Sequence, residues 1–419
     1  MKDLEGQRVV VLGAGRSGRA AARLAHRMGG RVRVSEGGAP DRVPGDFARW
    51  LREQDIPSEW NGHTRAFVQS ADLVVISPGI PVDAPPARWA RQAGCRVVGE
   101  MELAAWFCRP PIIAVTGSNG KTTVSTLLYR VIEKAGYRAC LCGNIGTPLA
   151  EKVLELDGVD YVVLEVSSFQ LESVERFRPH GAVVLNVTQN HLDRHRDIDE
   201  YWAIKKRIFL NQGPEDFAVL NAADRRLRKE AGRLRARVRL FDGQGASANE
   251  AAVIRAAAAI GIDRRVCESV FTSFEGLAHR LEPVGCFHGV TVINDSKSTT
   301  VEAGRWALQR VGAPVILICG GKDKNSDFSS LKEPVGRKVR RMVVLGQAAE
   351  KLRAAFDGVV PVIESPSLEA AVSEARRTAR PGETVLLSPM CASFDMFANY
   401  EERGEAFKAL ARRAWGDGR

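Results

Sequence analysis

Short apolar runs recur along the chain, and each closes on polar or glycine positions. Val9-Val10-Val11-Leu12 enters the turn Gly13-Ala14-Gly15-Arg16-Ser17-Gly18, and an alanine-rich helix then leads to a strand at Arg31-Val32-Arg33-Val34. Leu73-Val74-Val75-Ile76 closes on Ser77-Pro78-Gly79. Strands alternating with helical spacing predict βαβ units and a parallel sheet. A helix is expected from Val98-Gly99-Glu100 to the break at Arg109-Pro110-Pro111, and the first domain boundary is placed there. A second block has strands at Ile112–Val115, Tyr161–Val166, Ala182–Asn186 and Phe217–Leu220. A third has strands at Val290–Ile293, Val315–Cys319, Met342–Leu345 and Thr384–Leu387. The fold class expected is α/β with three domains, 1–99, 100–276 and 277–419, each a mainly parallel sheet with flanking helices.

In open α/β sheets, ligands sit beyond the carboxyl ends of the strands. The polar segments Thr116–Thr123, Glu165–Gln170 and Asn186–His191 should therefore converge on one site. The first is the most informative. Thr116-Gly117-Ser118-Asn119-Gly120-Lys121-Thr122-Thr123 follows an apolar strand, and Val124, Leu127, Leu128, Val131 and Ile132 continue it at helical spacing. Backbone N–H groups and a helix N-terminus there would face a phosphate, Lys121 would add charge, and the Thr122 hydroxyl could hold Mg²⁺. The loop is shorter than a standard Walker A, with Val115 where that pattern needs its first glycine.

Three other features allow two readings each. Gly13-x-Gly15-x-x-Gly18 with Glu36 after the next strand matches a dinucleotide fingerprint, or is a turn needed only for close packing. Glu165 at a strand tip is a Mg²⁺ ligand or a salt-bridged strand end. His191 is structural or belongs to the same cluster. Lys205, in Tyr201-Trp202-Ala203-Ile204-Lys205-Lys206-Arg207, reads from its residues as a basic helix face in solvent.

The 419 residues are 45% hydrophobic and 26% charged, as in a globular protein of two or three domains. The net charge of +10 is spread rather than blocked, which suits anionic substrates and gives no sign of a nucleic-acid tail. The eight cysteines form no Cys-x-x-Cys pair, so free thiols in a reducing compartment are expected. The N-terminus is no signal peptide, and no apolar run is long enough for a membrane span, so a cytoplasmic location without membrane insertion is expected.

Together the motifs resemble the Mur ligase family, and within it the members that add D-glutamate. The match covers nearly the whole chain. Thr116–Thr123 is similar to the family's short phosphate loop, Gly143-Asn144-Ile145-Gly146 to its next loop, and Glu165–Glu172 to its magnesium-binding strand end. Asn294–Thr299, Gly320–Phe328 and Ser388–Asn399 resemble its C-terminal signatures. The resemblance implies a Rossmann-like UDP domain without NAD, a P-loop-type ATPase centre and a Rossmann-like amino-acid domain. It implies an ATP-dependent amide ligase adding D-glutamate to UDP-N-acetylmuramoyl-L-alanine through an acyl phosphate, in peptidoglycan precursor synthesis.

The residues carried over are the following. Ser17, Ser35, Glu36, Ser77, Gly79 and Asn144 would contact the UDP substrate. Gly117, Ser118, Asn119, Gly120, Lys121, Thr122 and Thr123 would hold ATP, with Arg280, Asp295 and Asn249. Thr122, Glu165, His191 and a carbamylated Lys205 would serve two Mg²⁺ ions, and Lys121, His191 and Lys205 would be catalytic. Lys297, Thr299, Lys324, Ser393 and Phe394 would hold D-glutamate. A monomer is expected. Three departures stand out. Asn190 replaces the Asp usual before the His; Phe241–Asn249 is much shorter than the family's segment, which puts Asn249 in question; Phe394 and Tyr400 replace commoner Leu and Phe. The competing readings are a sister ligase adding a diamino acid, an NAD-dependent oxidoreductase, and a non-catalytic nucleotide-binding scaffold.

Overall fold

Strands that are apolar at every position need cover on both faces, and the runs above occupy such places. The structure, a computed structural model, describes residues 4–188, 196–243, 246–274, 276–323 and 326–416. The first sheet comprises β1 (Arg8–Leu12), β2 (Arg31–Ser35), β3 (Ser58–Glu59), β4 (Leu73–Ile76) and β5 (Arg96–Gly99). Its order is β3-β2-β1-β4-β5, parallel throughout. The strand order reverses between β1 and β4, which opens a crevice at their carboxyl ends.

The second sheet holds β6 (Ile112–Thr116), β7 (Ala139–Gly143), β8 (Tyr161–Glu165), β9 (Gly181–Val184), β10 (Phe217–Asn221) and β11 (Arg237–Phe241). Its order is β11-β10-β9-β6-β8-β7, again all parallel. β6 lies between β9 and β8, so the phosphate-loop segment leaves the sheet at its switch point.

The third sheet holds β12 (Glu282–Phe287), β13 (Val290–Asn294), β14 (Val315–Gly320), β15 (Val339–Leu345), β16 (Val362–Glu364) and β17 (Thr384–Leu387). The order is β12-β13-β17-β14-β15-β16, parallel except for the antiparallel β12–β13 pair. The chain divides into two units, Met1–Phe274 with the first two sheets and Glu275–Arg419 with the third.

The helix Lys121–Lys134 buries Val124, Leu127, Leu128, Val131 and Ile132 against Ile113, Val115 and Val163. Ala252, Val253 and Ala256 of the helix Ala246–Ala259 pack on the same core. Each fully buried Val, Leu or Ile contributes roughly 1.5–3 kcal/mol, so this core fixes where the phosphate loop sits. The expected helix from Val98 to Arg109 is shorter: β5 runs to Gly99, and the helix spans only Glu100–Ala105. Strands such as β3, β5, β11, β12 and β16 were not anticipated, being short or marginal in pattern. β11 mixes Arg237 and Arg239 with apolar residues, and β12 carries Pro283 and Gly285, as an edge strand tolerates. Among the described residues no helix is long and apolar enough to cross a membrane.

Candidate active site

Where β6 ends, the chain turns through Gly117–Gly120 into the helix starting at Lys121. Gly120 has φ +86°, and a Cβ there would lie 2.6 Å from Asn249 Oδ1. Only glycine fits both demands. The loop is fastened to the segment after β9. Asn119 N donates to Asn186 Oδ1 at 2.9 Å, and Asn186 Nδ2 returns a bond to Asn119 O at 3.1 Å. Ser118 Oγ donates to Thr188 O and accepts from Thr188 N, both at 2.9 Å. Lys121 Nζ lies over the loop, donating to Gly117 O at 2.9 Å and Ser118 O at 3.1 Å. Thr122 is buried beneath it. Asn249 shares its helix face with Ala252, Val253 and Ala256, the residues that dock on the loop's own helix, so the shortened segment still delivers it to the loop.

Glu165 ends β8, beside the loop, and is buried. Its Oε1 accepts from Asn144 Nδ2 at 2.7 Å, and its backbone carbonyl accepts from Asn144 N at 2.9 Å. Its Oε2 is buried with no hydrogen-bond partner among the described residues. An orphaned carboxylate oxygen beside a phosphate loop fits Mg²⁺, which takes one or two carboxylates and completes its shell from phosphate and water. Among the described residues no group of three His, Cys, Asp or Glu that could hold a metal ion is found.

Lys205 is not a solvent-facing lysine. It is 1% exposed, whereas Lys206 is exposed. Its helix, Ile198–Lys205, is capped by Asp197, which accepts from Asp199 N and Glu200 N. Tyr201, one turn earlier and also buried, places its ring 4.7 Å from Lys205 Nζ and its hydroxyl 3.4 Å from Ser118 Oγ. Lys205 Nζ donates to Thr116 Oγ1 at 3.1 Å. Burial holds its pKa well below the ordinary lysine value; the charge of Lys121 adds to this and Glu165 opposes it. Burial and the Lys121 charge thus favour the uncharged amine, which is the nucleophilic form. His191 lies outside the described residues.

In the same unit a cleft of about 510 Å³ opens at the carboxyl ends of β1, β2 and β4. Ser17, Glu36, Ser77, Gly79 and Asn144 line it, as does His63, which belongs to no recognisable motif. Gly18 allows the turn to close: a Cβ there would be 1.8 Å from Gly13 O. Glu36 Oε2 accepts from Ala14 N at 2.5 Å and its Oε1 from Gly38 N at 2.7 Å. A carboxylate thus takes one backbone amide of the glycine turn and one just after the second strand. Ser35 is fully buried, its hydroxyl engaged with Glu59 and His63, behind the residues that line the cleft.

The second unit has its own polar cluster. Asp295 is buried; its Oδ1 accepts from Leu281 N and its Oδ2 from Ser388 Oγ, both at 3.1 Å. Burial raises its pKa to about 7 against those bonds and the nearby Arg280. Arg280 Nε is buried without a hydrogen-bond partner among the described residues. Lys297 Nζ stands 5.3 Å from the Tyr400 ring centroid, and Thr299 N donates to Lys297 O. Ser393 is buried, whereas Phe394 is 66% exposed. Lys324 lies outside the described residues. Sequence reading passed over Arg403, which is 2% exposed and ties this cluster together. It donates to Ser296 Oγ at 3.0 Å, Ser296 O at 2.8 Å and Cys391 O at 3.2 Å. Its helix gives no hint of this, because nothing in the local pattern sets Arg403 apart from the helix's other charges.

Three family descriptions match in sequence along the chain. They are a MurD-like N-terminal domain of Mur ligases over residues 7–99, a Mur ligase middle domain over 115–279 and a Mur ligase glutamate ligase domain over 279–391. The UDP-N-acetylmuramoylalanine–D-glutamate ligase of Pelotomaculum thermopropionicum is 40% identical, covering 98% of each chain. The protein of that name from Chlorobaculum parvum is likewise 40% identical over 98% of each. Among solved structures, the UDP-N-acetylmuramate-alanine ligase MurC of Thermotoga maritima aligns with TM-score 0.60 at 16% identity, covering 97% of this chain and all of its own. A MurF ligase from the same organism, solved with ADP, gives TM-score 0.60 at 16% identity, covering 99% of each, and supports the fold alone. The oxidoreductase reading of the glycine turn finds no support in these matches, and the chain belongs to the Mur ligase family.

Proposed function

We propose that this chain is an ATP-dependent ligase that joins D-glutamate to UDP-N-acetylmuramoyl-L-alanine in peptidoglycan precursor synthesis. Full-length relatives carrying that ligase name support it. The structural observation that carries it is the meeting of the phosphate loop, the orphaned Glu165 oxygen and the buried Lys205 at the end of one sheet. That combination suits moving a phosphoryl group and has no use in hydride transfer. We assign residues 1–99 to UDP, 100–276 to ATP and 277–419 to the amino acid, in a cytoplasmic monomer.

A carboxylate acylates poorly because its leaving oxygen is poor. Accepting the γ-phosphoryl group of ATP makes an acyl phosphate, and the D-glutamate amine then attacks that carbonyl and expels phosphate. Two anions must first approach, so positive charge is needed where they meet. Lys121 would leave the loop carbonyls for the phosphates, while the loop amides, Thr123 and Asn249 orient the nucleotide. Thr122, Glu165 and His191 would hold Mg²⁺, which when bound offsets charge on the transferring group. The neutral Lys205 amine would add to CO₂: the N–C bond forms, an amine proton leaves to solvent, and the displaced C=O electron pair becomes a carboxylate oxygen. The resulting carbamate would supply oxygen ligands that an ammonium lacks.

In the second unit Arg280 and Asp295 would serve the nucleotide. Lys297, Thr299, Lys324, Ser393 and Phe394 would receive D-glutamate, whose two carboxylates call for cations and hydroxyl or amide donors. The test is phosphate release with UDP-N-acetylmuramoyl-L-alanine and either D-glutamate or a diamino acid. Turnover with D-glutamate alone is expected; faster turnover with lysine or diaminopimelate would reassign the chain to a sister ligase.

A further inference from the structure

We propose that His63 selects uracil over cytosine, by presenting an unprotonated Nε2 to the pyrimidine N3 position; this rests on reading the cleft at β1, β2 and β4 as the UDP subsite. Ser35 Oγ lies 2.6 Å from Glu59 Oε1 and 2.6 Å from His63 Nδ1. Glu59 also accepts from Thr64 N at 3.0 Å and Thr64 Oγ1 at 2.7 Å. Burial tends to raise the Glu59 pKa, but these hydrogen bonds outweigh it and hold the group below its usual value, as an acceptor only. A serine hydroxyl has one proton, and here it points to Glu59. Ser35 Oγ can then only accept from the imidazole, so Nδ1 carries the proton. Burial lowers the His63 pKa, against the pull of Glu36 and Glu59, which favours the neutral ring. A neutral ring protonated at Nδ1 has a lone pair at Nε2.

That nitrogen faces the cleft. A Cβ on Gly37 would lie 3.5 Å from it, and Gly37, Glu36 and His63 line the cleft together. In a crevice of this topology phosphates sit at the glycine turn, and the nucleoside extends toward the end of the second strand. His63 is therefore at the base end. Uracil N3 bears a hydrogen and donates; cytosine N3 bears a lone pair and accepts. The first complements His63 Nε2 and the second opposes it. Sites built around a hydrogen bond discriminate strongly against a ligand that leaves it unmade; for a half-buried group about 10- to 100-fold is expected.

The experiment is calorimetric titration of the full chain with UDP and with CDP, in the wild type, His63→Ala and Ser35→Ala, at mildly alkaline pH. The wild type should prefer UDP by roughly 10- to 100-fold, and His63→Ala should bring the two within about threefold of each other. Ser35→Ala, which frees the ring to change tautomer, should fall between them. NMR of isotope-labelled histidine in the wild type should show His63 protonated at Nδ1, a readout that does not depend on any variant folding. A UDP:CDP ratio unchanged in His63→Ala, or a ring protonated at Nε2, overturns the proposal while leaving the UDP subsite in place. Failure of UDP to bind the wild type removes the subsite and this proposal together.

Discussion

Lys205 Nζ donates to Thr116 Oγ1 at 3.1 Å, and Thr116 Oγ1 in turn donates to Val166 O at 2.8 Å. The hydroxyl proton is thus engaged elsewhere, so Thr116 accepts from the lysine, whose pKa burial drives down. On the carbamate reading, Lys205→Ala should lower turnover by about 10³-fold or more, as expected when an electrostatic group at the reacting centre is lost. Added short carboxylates should restore part of it. Steady-state ADP release checks this; full activity without additive would return Lys205 to a packing role.

Lys121→Ala should abolish turnover yet leave UDP binding intact, because the two clefts are built from different strand ends. Calorimetry with UDP alongside the ADP assay separates the outcomes. Normal turnover in this variant would remove the phosphate assignment.

The contact between Gly120 and Asn249 gives a paired test. A Cβ at Gly120 would meet Asn249 Oδ1 at 2.6 Å, on a backbone with φ +86°. Gly120→Ala should weaken ATP binding through both conflicts, the left-handed backbone alone costing roughly 1–2 kcal/mol. Asn249→Ala should weaken it by losing a contact. The double variant should be less impaired than the sum of the two, because the steric conflict disappears with the amide. Strict additivity in ATP affinity would show that the two residues do not meet.

Glu100 is 1% exposed; its Oε1 accepts from Ala150 N at 2.8 Å and its Oε2 has no hydrogen-bond partner among the described residues. Burial raises its pKa from 4.5 to about 7. Between those values the folded state holds a proton that the unfolded state has lost, so this group's contribution to stability falls as pH rises through that window and is level above it. Glu100→Gln removes the charge and keeps the Ala150 bond. It should stabilise the protein by on the order of 3 kcal/mol above neutrality and by little near pH 4. Denaturant unfolding of both proteins at acid and alkaline pH checks this; an equal shift at both would rule out the ionisation argument.

Much of the site was legible because strand ends carry function in α/β sheets. Thr116–Thr123, Glu165 and Asn186 announced themselves by following apolar runs, and they meet in space. Lys205 was different. Its residues read as a wet basic helix, and only the resemblance singled it out, because burial here comes from a helix crossing the end of another strand. Asn249 was doubted because its segment is short, yet the face formed with Ala252, Val253 and Ala256 still carries it to the loop. Ser35 was read as a substrate contact, but the alternation of β2 turns it inward to Glu59 and His63. His63 and Arg403 could not be found locally, since their partners lie far along the chain or across a turn.

The central claim is most directly tested by measuring ADP formation and the amide product together in the purified, magnesium-replete chain. Both should require UDP-N-acetylmuramoyl-L-alanine and D-glutamate jointly, one ADP for each peptide bond formed. ADP release that is indifferent to either substrate, or a folded chain that yields no amide, would contradict the account.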